Sequence, residues 1–263
     1  MKDSIIIAGS CSGETLEETM RQADVLVNND VQYMRFMMWK PRTSPQSFQG
    51  IGGVTGIEIL KKIHETHPKL TFVTEVMGAE HIQLLEDSKL PIIYQIGSRN
   101  GQNFDLLKRL GDLEGKTILY KRGMWMHLEE YLTAAEYLNP KKNNVWLCLR
   151  GIKANADVPT EKIVSAVPIT MRNLPDIHSI LLLKDHPQFK RHNYKILFDP
   201  SHATGISKYV RPMGIAAMLL GADGLEVEIH SMPDIAYSDK KQTINFPEFG
   251  RLLSDIKKLG ENK

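Results

Sequence analysis

The chain has 263 residues, 42% hydrophobic and 24% charged, with 33 Lys and Arg against 31 Asp and Glu for a formal net charge of +2. That composition is globular and long enough for one large core, and the small net charge argues against an overall field for nucleic acid or membrane, so any anion must be bound by local placement of charge. Two cysteines, Cys11 and Cys148, neither in a CxxC pair, argue against a zinc ribbon, a redox dithiol or a secreted disulfide framework. No apolar run reaches the roughly 18 residues that span a bilayer, and the first ten residues are too short for a signal peptide, so the expected location is the cytoplasm.

Short β-like runs alternate with helical patterns along the whole chain. Ser4–Ala8 reads as a strand, followed by a turn at Gly9–Gly13 and a helix over Glu14–Val27 with Ser12 or Thr15 as its cap. Tyr33–Trp39 is the second strand, then a loop, KPRTSPQSFQG from Lys40 to Gly50, and a helix over Gly56–His67. Pro41 and Pro45 stiffen that loop, while Lys40 and Arg42 offer a point charge and a planar fork of donors suited to a phosphate or carboxylate. Next come a strand over Leu70–Val76, a helix over Ala79–Asp87, a strand over Ile92–Ile96 and a helix over Phe104–Leu110. Thr117–Tyr120, Leu128–Leu138 and Val145–Leu149 continue the alternation as strand, helix and strand. The stretch from Ile152 to Asn193 carries four prolines and reads only as a helix around Asp176–Lys184. Tyr194–Phe198, Val210–Leu220, Leu225–Ile229 and Phe246–Leu259 close the series. Eight strand–helix repeats, with no linker and no GxGxxG after the first strand, predict a single-domain (β/α)8 TIM barrel over 1–263 rather than an open dinucleotide-binding sheet.

In such a barrel all strand ends open on one face, where barrel enzymes keep their active sites. Those ends hold Cys11, Arg35 with Lys40, Glu75, Gln95 with Arg99, Lys121, Arg150, His202, Glu228 with His230, and Asp239 in the last loop. Five cations (Arg35, Lys40, Arg99, Lys121, Arg150) converging in one mouth would repel one another unless a highly anionic ligand sat among them, which predicts a phosphorylated, carboxylated substrate. One thiolate, one imidazole and two carboxylates (Cys11, His202, Glu228, Asp239) make a site for a divalent metal, of a mixed softness that suits manganese, iron, cobalt or zinc better than magnesium or calcium. In LEVEIH, strict alternation puts Leu225, Val227 and Ile229 under the helices and Glu226, Glu228 and His230 in the barrel mouth, where a metal or a cation must answer the carboxylates.

Together these residues resemble the DAHP synthase family, the first enzyme of the shikimate pathway, and within it the short bacterial type Iβ. The segments that carry the resemblance are AGSCS (Ala8–Ser12), KPRTSPQSFQG (Lys40–Gly50), VTEVM (Val73–Met77), QIGSRNGQNF (Gln95–Phe104), KRGM (Lys121–Met124), RGI (Arg150–Ile152), DPSHATG (Asp199–Gly205), GADGLEVEIH (Gly221–His230) and SDKKQ (Ser238–Gln242). The KPRTSP loop separates this branch from the related KDO8P synthases, which carry KANRS-like residues there. The resemblance implies a metal-dependent aldol-type condensation of phosphoenolpyruvate with erythrose 4-phosphate. By position it implies Cys11, His202, Glu228 and Asp239 as ligands of a divalent ion, manganese first among the candidates. It assigns Arg35, Arg99, Lys121 and Arg150 to phosphoenolpyruvate and Arg42, Thr43 and Ser44 to the aldose phosphate, with Glu75, Gln95 and Ser98 counted among the substrate-binding residues. Lys40 lies near both and is the candidate proton donor, with Cys11 and His202 taking part in catalysis as ligands. A homotetramer, or at least a dimer, is implied as well.

The chain departs from the family pattern at Ser10 (usually proline, so a looser turn is expected), at Phe36–Trp39 (usually Gly-Gly-Ala-Phe, so bulk in the substrate pocket is expected), at Gly78, at Leu149 (usually glutamate, so a carboxylate is lost beside the site) and at Lys240–Lys241. Lys153–Phe189 departs most. With the first strand at Ser4 and the last residue Lys263, no regulatory ferredoxin-like or ACT segment and no chorismate mutase helices are expected, and hence no inhibition by phenylalanine or tyrosine. Two other readings stand beside this one: a sister synthase that joins phosphoenolpyruvate to another aldose, as KDO8P and sialic acid synthases do, and a weakened barrel that only binds phosphosugar or metal.

Overall fold

The computed structural model describes residues 4–42, 44–153 and 172–261; Thr43 and residues 154–171 lie outside them. Eight strands, β1 (Ile5–Gly9), β2 (Tyr33–Arg35), β3 (Thr71–Glu75), β4 (Ile92–Ile96), β5 (Thr117–Lys121), β6 (Asn144–Leu149), β7 (Lys195–Phe198) and β8 (Gly224–Glu228), pair in sequence order. All pairs are parallel, and β8 closes on β1 with Gly9 opposite Glu228. Between them run α1 (Leu16–Asn28), α2 (Gly53–Thr66), α3 (Ala79–Ser88), α4 (Phe104–Gly111), α5 (Leu128–Ala135), α6 (Ser179–Asp185), α7 (Pro187–Lys190), α8 (Pro200–Thr204) and α9 (Ser207–Leu219), with α10 (Phe246–Glu261) last. Parallel neighbours cannot be joined by hairpins, so each crossover must pass over the outside of the sheet, and the closed (β/α)8 barrel results.

The period of two along each strand sorts side chains into two apolar cores. The larger lies between strands and helices and takes Ile6, Ala8, Met34, Phe72, Ile118, Leu147, Phe198, Leu225 and Val227. The smaller fills the barrel interior with Ile7, Met37, Val73, Ile93, Leu119, Trp146, Cys148 and Leu197. The opposite parity of β8 puts Glu226 and Glu228, both fully buried, inside the barrel.

The second strand is shorter than the predicted Tyr33–Trp39 because its later carbonyls are claimed by loops. Phe36 N–H still donates to Val73 O (2.8 Å), but Met37 O accepts from Gly13 and Met38 O from Gly52. The bulk at 36–39 therefore does not crowd the mouth: Phe36 and Met38 pack outward, Met37 plugs the inner core, and none of the four lines the cavity described below. Leu149 likewise turns outward into the helix layer. Ser10 is tied into its turn: its hydroxyl donates to Ser12 O (2.6 Å) and its N–H to Gln22 Oε1 (2.9 Å). Thr15 is the cap of α1, its hydroxyl accepting from Glu18 N–H. The helix predicted over Asp176–Lys184 begins at Ser179, because Asp176 is occupied in bonds to Arg122 and to the Ser179 hydroxyl.

Candidate active site

At the C-terminal end of the barrel the strand tips surround a cavity open to solvent. Arg35 of β2, Glu75 of β3, Gln95 of β4 and Lys121 of β5 reach it from consecutive strands, and Lys40 and Arg42, Ser98 and Arg99, Arg150, Arg172, His202 and Asp239 enter from the loops above. Gly97 makes room for this packing: a Cβ there would meet Glu75 Oε1 at 1.9 Å. Gly9 does the same at β1, with φ of 155° and Arg35 O 2.2 Å from where a Cβ would lie.

The cations fall into two groups. Four are held by carboxylates. Lys121 donates to Asp199 and, at 2.6 Å, to Glu226; Arg35 faces Glu226 at 3.6 Å and Glu228 at 3.2 Å; Arg42 and Arg172 face Asp239 at 3.6 and 2.8 Å. Burial would lower the Lys121 ammonium, but Asp199 and Glu226 outweigh it and hold it well above its ordinary value. The other three cations, Lys40, Arg99 and Arg150, have no carboxylate partner among the described residues. Burial brings Arg150 down to about 10 despite Asp199, with the Arg172 and Arg99 guanidiniums adding to the effect, and its Nη1 is buried without a hydrogen bond. An unpaired buried guanidinium is costly, and a ligand anion is what would relieve it. Glu75, buried in the same wall, has its carboxyl pushed up by loss of solvent in spite of Lys40, Lys121 and Arg99.

Beside the cations lies a metal-ligand cluster. Donor atoms of Cys11, His202, Glu228 and Asp239 all lie within 4.8 Å of one another. Cys11 Sγ is 2.7 Å from Asp239 Oδ2, and His202 Nε2 is 3.4 Å from Glu228 Oε1. His202 is presented by the short helix α8, whose cap Asp199 accepts from His202 N–H (2.8 Å) and from the ring Nδ1 (2.6 Å). That second bond leaves Nε2 as the free lone pair, turned toward the cluster. Burial lowers the His202 imidazole in spite of Asp199 and Glu228. Glu228 and Asp239 are held low: burial would raise each, but His202 with Arg35 acts on the first and His202 with Arg172 and Lys40 on the second. Burial and Glu228 push the Cys11 thiol up to about 12 against the pull of Lys40. Lys40 Nζ donates to Cys11 Sγ (2.9 Å) and Cys11 O (2.8 Å). Glu228 Oε1 is buried and accepts no hydrogen bond. An orphaned carboxylate oxygen amid a thiol, an imidazole and a second carboxylate is a donor set that fits a divalent transition ion.

Of the residues picked from sequence, Arg35, Lys40, Arg42, Glu75, Gln95, Ser98, Arg99, Lys121, Arg150, His202 and Asp239 line this one cavity, and Cys11 and Glu228 lie against it. Three picks fare differently. Thr43 lies outside the described residues. Ser44 is not in the cavity wall; its hydroxyl donates to Gln46. His230 is not in the mouth, because the chain leaves the ladder after Glu228; its ring turns to Glu14 (3.0 Å) and Glu18 (3.6 Å) on the α1 side. Sequence reading placed Glu226 in the mouth with a cation to answer it, and Lys121 and Arg35 do so; it passed over Asp199 as a partner of Lys121, and over Arg172 and Gln242. The DPSHATG and SDKKQ segments contain Asp199 and Gln242, but nothing in their spacing gives the contacts.

Comparison with known proteins places the chain and its fold among relatives. The DAHP synthetase I family profile matches residues 2–262. The phospho-2-dehydro-3-deoxyheptonate aldolase of Thermotoga maritima is 37% identical over 257 residues, covering 97% of this chain and 70% of that protein. The 2-dehydro-3-deoxyphosphooctonate aldolase of Geotalea uraniireducens is 25% identical over 279 residues, covering 97% of this chain and 92% of its own length. Among solved structures, the crystal structure of the Thermotoga maritima DAHP synthase superposes with a TM-score of 0.83 at 34% identity, covering 98% of this chain and 69% of that one. A truncated form of the same enzyme gives 0.81 at 32%, covering 98% and 87%.

Proposed function

The chain belongs to the DAHP synthetase I family, and from that premise we propose that it condenses phosphoenolpyruvate with erythrose 4-phosphate, releasing phosphate and DAHP in a metal-dependent reaction. The observation that carries the reading is the meeting of three cations that no carboxylate answers with a four-residue ligand cluster in one cavity.

Arg99, Arg150 and Lys121 would hold the phosphate and carboxylate of phosphoenolpyruvate, with Arg35 completing the wall beneath them. Arg42, with Thr43 next to it in sequence, would take the phosphate of the aldose. Held so, the enol carbon C3 faces the aldehyde carbon, and much of the barrier is met by orientation alone. A divalent ion bound by Cys11, His202, Glu228 and Asp239, manganese first among the candidates, would supply Lewis acidity to the aldehyde oxygen. Bond formation between C3 and the aldehyde carbon turns that oxygen into an alkoxide, and Lys40, beside Cys11, is placed to give it a proton. Water adds to C2, which has become electron-poor. Phosphate then leaves with the bridging oxygen as C2 becomes the ketone; of the two protons the water gives up, one goes to the departing phosphate and the other restores Lys40. The basic wall of Arg99 and Arg150 favours the dianion as it departs. The reading carries a cytoplasmic enzyme working as a dimer or tetramer, which light scattering would check.

The test is phosphate release on mixing the two substrates with metal-stripped and manganese-restored protein. Release that needs both substrates and metal supports the reading. Release with arabinose 5-phosphate in place of erythrose 4-phosphate would assign the chain to the sister reaction, and none with either would overturn both.

A further inference from the structure

We propose that Gln242 is a positioning residue that decides which oxygen of Glu228, and through Arg172 which oxygen of Asp239, is presented to the metal. The inference rests on the reading of Cys11, His202, Glu228 and Asp239 as ligands. Gln242 closes the single 3-10 turn Lys240–Gln242 that follows Asp239, and its side chain is buried. Its Nε2 donates to Glu228 Oε2 at 2.5 Å, and its Oε1 accepts from Arg172 Nη1 at 2.9 Å. The same Nη1 donates to Asp239 Oδ1 at 2.8 Å. Each carboxylate thus spends one oxygen on this chain. The other oxygen is turned inward: Glu228 Oε1 toward His202 Nε2 and Asp239 Oδ2 toward Cys11 Sγ.

The amide is singular in this place. Glu228 offers only acceptors and Arg172 only donors, so one orientation of the amide satisfies both and the flipped one satisfies neither. A glutamate at 242 would set a carboxylate against Glu228, and a lysine could accept nothing from Arg172. Asp199 plays the corresponding part for His202, bonding its Nδ1 and leaving Nε2 free. Three of the four ligands therefore have an outer partner that fixes their inner atom, and two of those partners share one hydrogen-bond chain. Outer partners of this kind are typically worth about 10- to 100-fold in metal affinity.

The test is titration of metal-stripped full-length protein with Co2+, read by the thiolate-to-cobalt absorption of Cys11 and by the ligand-field bands. Gln242→Met and Arg172→Met should each weaken Co2+ binding by about 10- to 100-fold and shift the ligand-field bands. Arg172→Lys should recover part of the loss. The double variant should bind no more weakly than Gln242→Met alone, since both act through one chain. Arg172 is partly exposed at the rim, so its variants stay informative should the buried Gln242→Met variant fold poorly. Wild-type affinity and bands in Arg172→Met, or losses that simply add, would overturn the proposal. So would a lowered melting temperature with unaltered bands in the Gln242 variant, which is the sign of packing alone. No thiolate band in the unsubstituted protein would instead sink the metal reading, and this inference with it.

Discussion

Inside the barrel, the lower and upper layers of the same strands are opposites. One residue separates Tyr33 from Arg35, Val73 from Glu75, Ile93 from Gln95, Leu119 from Lys121 and Leu197 from Asp199. The side-chain period is two, so each pair shares a direction, and the change from apolar to charged is a change of height, not of face. The lower layer interlocks as a dry core and contributes stability. The upper layer holds Arg35, Lys121, Asp199, Glu226 and Glu228 in ion pairs from which water is largely excluded. Those pairs recover little net stability against the cost of desolvating them. What they provide is a fixed pattern of charge, on which the cations without a carboxylate partner and the ligand cluster rest.

The comparison breaks most sharply at the ligands. Cys11→Ala should lower turnover by about a thousandfold, the equivalent of ~4 kcal/mol of lost Lewis-acid stabilisation, while the melting temperature stays within a few degrees. Steady-state kinetics beside calorimetry checks both halves. Leu119→Ala, one step below Lys121, should do the reverse: about 3 kcal/mol of stability lost to the cavity, with kcat little changed in the folded fraction, as denaturant titration and rate assays would record. Within the upper layer the two groups of cations should separate. Removing the paired Lys121 leaves buried Glu226 with only Arg35 at 3.6 Å and buried Asp199 with only His202, so Lys121→Met should cost about 3 kcal/mol of stability as well as activity. Arg150→Met removes a cation with no carboxylate partner, so it should raise the KM for phosphoenolpyruvate by about 10- to 100-fold, the range of a lost charged hydrogen bond. It should leave the unfolding midpoint no lower. The smallest effect is that of pH on metal affinity. The thiol at about 12 must lose its proton to bind, whereas the lowered imidazole is already neutral. One proton is then released on binding, and affinity should rise about tenfold per pH unit between roughly pH 7 and 9. An affinity flat over that range would mean that Cys11 is already ionised or does not bind.

Much of this was legible in one dimension. The alternation of strand and helix gave the barrel, and LEVEIH gave the inward carboxylates, because local backbone periodicity dictates which way a side chain points. The turns at Cys11, Lys40, Arg99 and Arg150 could be read as one rim because every parallel strand ends on the same face. The end of β2 at Arg35 could not be read, since loop amides from Gly13 and Gly52 took the carbonyls that a continuing ladder would have used. Nor could the fate of His230, whose alternation holds only while the strand lasts.

The sequence by itself therefore determined the repeat, the layer each residue joins and the kinds of charge that gather at the mouth, all of which depend on neighbours a few residues apart. Tertiary structure alone decided which cation is answered and which is left for a ligand. Lys121 meets Asp199 across 78 positions and Cys11 meets Asp239 across 228, and Arg172 reaches Gln242 from a loop no pattern marked. Charge pairing depends on distance in space, and that distance exists only once the barrel has closed.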